Sequence, residues 1–122
     1  MTIQECYNLM GGDYSEVAGR FVTEARVEKF AKMFLRDTSF EMLKQTMQAK
    51  DYKEAFRASH TLKGVCQNLA LKSLEKPVVE LTDLLRNYET MDVSGETGQR
   101  MESLMEMVET QYGVVISAIS QL

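Results

Sequence analysis

Apolar residues in this chain recur at intervals of three and four, and no stretch alternates with a period of two for long enough to make a strand. Val27, Phe30, Ala31 and Phe34 form one such seam, and Phe40, Leu43 and Met47 form the next. Ala55, Ala58, Leu62, Val65 and Leu69 follow, then Leu74, Val78, Leu81, Leu85 and Tyr88. The last seam runs Met101, Leu104, Val108, Tyr112, Val115, Ile119 and Leu122. A helix with one apolar stripe must bury that stripe against other helices. Several such helices joined by short turns are best satisfied by an all-α, up-and-down antiparallel four-helix bundle.

Helix breaks fit this reading. Residues 2–10 predict a short helix stopped by Gly11-Gly12, and Asp13 or Ser15 predicts the cap of a second short turn to about Gly19. Asp37-Thr38-Ser39 supplies a stop and a new N-cap. Asp51, with Glu54 three residues on, has the spacing of a capping box. The only proline, Pro77, belongs in a first helical turn, where its missing N–H does no harm. It therefore predicts a helix start nearer Lys76 than Ser73. TMDVSGETG is the one long loop. At 122 residues the chain fits one domain, with an N-terminal helical segment 1–22 packed across a bundle formed by 23–122.

A formal net charge of -4 argues against general affinity for nucleic acid or anionic lipid. No apolar run approaches the roughly 18 residues of a membrane span, and MTIQECYNLMGGDY lacks the order of a signal peptide. A cytoplasmic protein is expected, and Met1 with a full set of helical seams favours a stand-alone one. Cys6 and Cys66 are isolated, with no zinc or disulfide pattern. Cys66 adjoins the Val65 seam, so a buried, inert thiol is expected. The nine methionines are spread over several seams, as core filler would be.

The feature that helix formation does not explain is ASHTLKG, residues 58–64, which holds the only histidine. Histidine is a poor helix former, and glycine costs about 1 kcal/mol relative to alanine in a helix interior. At 100° per residue His60 lies about 160° from Leu62, so it faces away from the seam. Phe56, Lys63, Gly64 and Gln67 share its face, since positions three and four apart are neighbours on a helix. An imidazole standing in water offers a nitrogen lone pair at neutral pH. Lys63 can neutralise a doubly charged group attached to that nitrogen, Gly64 leaves the face open to another protein, and Phe56 is a potential anchor. A lone surface histidine is most often idle. This one has neighbours suited to accepting a phosphoryl group from a macromolecule.

HTLKG resembles the HxLKG signature of histidine phosphotransfer (HPt) domains, the four-helix carriers of multistep two-component phosphorelays. The likeness in helical pattern runs from about Thr23 to the C-terminus, with the specific motif between His60 and about Leu74. It implies that His60 is the phospho-acceptor, Lys63 the electrostatic partner and Gly64 the residue keeping the face open. Phe56 and Gln67 would border the docking surface. Where the family often has a second glycine this chain has Ala70, which keeps the position small, and the Gln or Glu that often orients the imidazole from the next helix falls at Thr82, which could still hydrogen-bond in that role.

The implied activity is that of a phosphocarrier without a kinase or phosphatase site, and the sequence shows no P-loop, no nucleotide-binding glycine loop and no second base. The implied partners are receiver domains of response regulators and hybrid sensor histidine kinases, which would bring the Mg²⁺. No cofactor is expected on this chain, and the family expectation is a monomer. Two alternatives remain. One is an adaptor of the same fold that binds a receiver or kinase domain without carrying phosphate. The other is a metal or haem bundle, opposed by a single His and the lack of a Glu-x-x-His motif.

Overall fold

The computed structural model describes residues 1–122 and contains helices only. In chain order these are α1 (Ile3–Met10), α2 (Tyr14–Phe21), α3 (Glu24–Met33, extended by a 3₁₀ turn at Phe34–Arg36), α4 (Ser39–Gln48), α5 (Tyr52–Leu69), α6 (Lys72–Leu85) and α7 (Glu96–Ile119). The four-helix bundle is α4 to α7. Short turns at 49–51 and 70–71 fold α5 back on α4 and α6 back on α5, while residues 86–95 connect α6 to α7. Phe40 of α4 stacks on Tyr112 of α7, centroids 3.9 Å apart, and closes the bundle.

The caps set these boundaries. Thr2, Asp13, Thr23 and Asp51 each accept a hydrogen bond from the N–H three residues on, leaving fewer orphan donors at the helix starts. Only Thr2–Glu5 completes a reciprocal capping box. At Asp51 the box is half-formed, because the Glu54 carboxylate turns to Arg57 at 3.2 Å. Gly11 ends α1 at φ 66°, a left-handed conformation that glycine adopts without strain.

The start of α6 differs from the sequence expectation. It begins at Lys72, which puts Pro77 inside the helix, in its second turn. The proline removes the N–H that would bond the Ser73 carbonyl, yet Ser73 is exposed and that carbonyl is open to water. Tertiary contacts hold the early turn: the Ser73 N–H and hydroxyl both donate to the Gly11 carbonyl at 3.2 Å. Starting at Lys72 also keeps Leu74 and Pro77 buried beside Val78 and Leu81.

The seam of α5 is also turned slightly. Val65 is only half-buried, whereas Ser59 and Cys66 are fully buried with Ala55, Leu62 and Leu69. Burial pushes the Cys66 thiol up to about 12, as expected of an inert core cysteine. One apolar cluster joins all the helices, and α1 and α2 contribute Ile3, Cys6, Tyr7, Met10 and Val17 to it.

Candidate functional site

The site is built on α5, whose C-terminal end is fixed from outside the bundle. A helix leaves its last four carbonyls without intrahelical donors. Here the Arg20 guanidinium donates to the Gln67 and Asn68 carbonyls at 3.1 and 2.5 Å, and the Tyr7 hydroxyl donates to Leu69 at 2.8 Å. The Asp13 N–H donates to Ala70 at 2.9 Å. Beyond them Lys72 pairs with Glu16 at 3.0 Å. The α1–α2 segment thus clamps the α5–α6 corner and sets the orientation of the helix that carries His60.

Ala70 sits at φ 55°, ψ 42°, left-handed. The small side chain matters less at this position than the backbone conformation, which costs an L-residue roughly 1–2 kcal/mol and glycine nothing.

His60 stands exposed on the outer face of α5, with Leu62 and Ser59 buried beneath it. Phe56 lies one turn before it, half-buried, its ring centroid 6.0 Å from the imidazole and tilted by 53°. Lys63 is half-buried and makes no ion pair, so its charge is not held by a carboxylate of this chain. Gln67 is exposed one turn beyond Gly64, with its backbone carbonyl held by Arg20. These residues share one face, as helical spacing predicts.

A side chain at Gly64 would meet nothing within 4 Å. The fold therefore does not need glycine there. Gly64→Ala is expected to stabilise the isolated protein by about 0.5–1 kcal/mol, the helix-propensity difference at an exposed interior position. A urea midpoint that stays put or falls would contradict the open geometry.

Thr82 does not join the site. It is fully buried on α6, its hydroxyl donates to the Val78 carbonyl at 2.7 Å, and no hydrogen bond links it to His60. A short hydroxyl reaches its own i−4 carbonyl more readily than a side chain on another helix's outer face, whereas the longer Gln or Glu has the reach.

Two residues that sequence reasoning did not assign to the site border it. Arg86, just past α6, places its guanidinium carbon 5.3 Å from the Phe56 ring centroid. Tyr88, expected on the α6 seam, lies in the turn after that helix with its ring 6.3 Å from Phe56. The only signal in the sequence was an aromatic and a cation at the end of an amphipathic helix, which is too common to single them out.

Comparison with known families adds one match: the Hpt domain model, over residues 21–111. The chain belongs to the Hpt domain family. No curated protein and no solved structure matches it. Hpt domains are histidine phosphocarriers of phosphorelays, not enzymes with kinase or phosphatase sites, and they interact with receiver domains. In this Hpt domain α1 and all but the last residue of α2 precede the matched stretch, so the clamp on α5 is built largely from residues outside it. No helix is long and apolar enough to cross a membrane.

Proposed function

We propose that this Hpt domain carries phosphate on His60, taking it from the phospho-aspartate of one receiver domain and passing it to the aspartate of another. An imidazole nitrogen attacks phosphorus, the N–P bond forms as the acyl O–P bond breaks, and the aspartate carboxylate leaves with the electron pair. The second ring nitrogen keeps its proton. Transfer onward is the same step reversed on a new carboxylate. The receiver would supply Mg²⁺ and most of the transition-state stabilisation.

The observation that carries this reading is the placement of the chain's one imidazole, exposed on α5 one turn before an unpaired lysine and an unobstructed glycine. The test is transfer of label from phosphorylated receiver domains of the source organism, profiled in turn. The label should be acid-labile and base-stable, as a phosphorylated imidazole is. A base-labile product, or no transfer from any receiver, would overturn the assignment.

Within this reading Lys63 offsets the charge arriving on His60. At about 4 Å the Coulomb term is about 1 kcal/mol in water and about 4 at an effective dielectric of 20, and a face open to solvent lies near the lower value. Lys63→Ala should therefore slow transfer about fivefold and leave thermal stability nearly unchanged. An unaltered rate would remove this role. Gly64 and Phe56 belong to the docking face, where the open backbone lets a receiver approach and the ring supplies apolar contact; Gln67 lies at its edge.

A further inference from the structure

Resting on the phosphocarrier reading, we infer that Arg86 determines which receiver domains this protein accepts, by presenting a cation on the Phe56 ring to a partner surface that pairs a carboxylate with an apolar side chain. Phe56 is the hub of the arrangement. Its ring lies between the imidazole at 6.0 Å and Tyr88 at 6.3 Å, with the Arg86 guanidinium at 5.3 Å. The ledge thus extends the His60 face across two helices.

The guanidinium is free to engage a partner. Its side chain is 52% exposed, and its one ion pair is with Asp83 at 3.7 Å, itself 65% exposed. Pairs of that kind contribute little and are easily exchanged. With its carbon over the Phe56 ring at 5.3 Å, the guanidinium keeps its edge available to take a carboxylate in bidentate fashion. Covering the ledge with a partner strengthens the cation–ring attraction by removing water.

Charge selects the partner's chemistry. The chain is acidic overall, yet the outward residues of α5 around His60 include Lys53, Arg57 and Lys63. Of the acidic residues on these elements, Glu54 pairs with Arg57, Asp83 makes only the weak, exposed pair with Arg86, and Glu89 follows in the exposed turn. Arg86 places one more positive charge at the α6 end of that face. A receiver with an acidic residue beside an apolar one at the matching edge is attracted, and a basic edge is repelled.

The probe is the receiver domain that phosphorylates the wild-type chain fastest. Arg86→Ala should weaken its affinity, measured by titration calorimetry, about tenfold, the scale of losing one arginine–carboxylate contact that the partner covers. It should raise KM for transfer by a similar factor, leave kcat within about twofold, and flatten the salt dependence of kcat/KM. Arg86→Lys should recover the salt dependence but not the full affinity, because an ammonium lacks the bidentate fork of the guanidinium. Unchanged affinity, or a fall in kcat with KM intact, would overturn the inference. Chemical phosphorylation by phosphoramidate, which needs no docking, separates the two readings. It should label His60 equally in wild type and Arg86→Ala. Failure to label the wild type would strike the acceptor assignment alone; the calorimetric comparison, run then with the receiver domain that binds the wild-type chain most tightly, would still decide Arg86.

Discussion

His60→Ala is expected to lose all acid-labile, base-stable phosphate from this protein while leaving the fold intact. The chain has no second histidine, so no other imidazole can take over. The ring is exposed and makes no side-chain hydrogen bond, and alanine is the better helix former. Stability should therefore hold or rise by a few tenths of a kcal/mol, within the range of ordinary surface substitutions. That combination, full loss of label with an unchanged melting curve, is what a surface acceptor requires. His60→Gln keeps a polar side chain of similar reach without a nucleophilic nitrogen. Label persisting in either variant would contradict the acceptor role. If label vanishes but signalling through the protein survives His60→Gln, the adaptor reading is favoured, since docking alone would then suffice.

The second large effect is on stability. Removing residues 1–20 is expected to abolish a cooperative folding transition near room temperature, although the rest contains every residue matched to the family. The deletion takes Ile3, Cys6, Tyr7, Met10 and Val17 from the core, and burying a large apolar side chain is worth about 1.5–3 kcal/mol. It also strips donors from the carbonyls of Gln67, Asn68, Leu69 and Ala70. Those losses together rival the roughly 5–15 kcal/mol by which a domain is stable at all. Calorimetry decides the matter: a truncated chain melting cooperatively within a few degrees of the full chain would show that α1 and α2 are dispensable.

A finer test of the same clamp is Tyr7→Phe, which leaves the Leu69 carbonyl without its donor and should cost about 1–2 kcal/mol. Burial holds the Tyr7 phenol well above its ordinary range. Because the folded-state value is raised, the stability tied to the neutral phenol is fully present below about pH 10 and is lost as pH rises further. The Phe variant should lose that part of the alkaline decline.

The helical class, the seams and the face of α5 were legible in the residues themselves. Periodicity and capping are local, so Asp13, Asp51 and Leu62 could be placed from their neighbours, and His60, Lys63 and Gly64 fell on one exposed face because they lie within five positions of one another. Pro77 was misleading for the opposite reason. Its local preference for a first turn yielded to contacts with Gly11, far away in sequence, that hold Ser73 in the helix. Thr82 was misplaced because side-chain reach across two helices depends on how those helices sit against each other.

By itself the sequence determined that this chain folds as packed helices with a nucleophilic ring facing water, since 3.6 residues per turn fixes which side chains share a face wherever the helix goes. Only the tertiary structure decided that Arg86 and Tyr88 meet Phe56 and that α1 and α2 close the end of α5. Those contacts join residues separated by dozens of positions, and they exist only once the helices have packed at particular angles and depths. No short-range pattern encodes that choice, because it is made by the burial of the whole core at once.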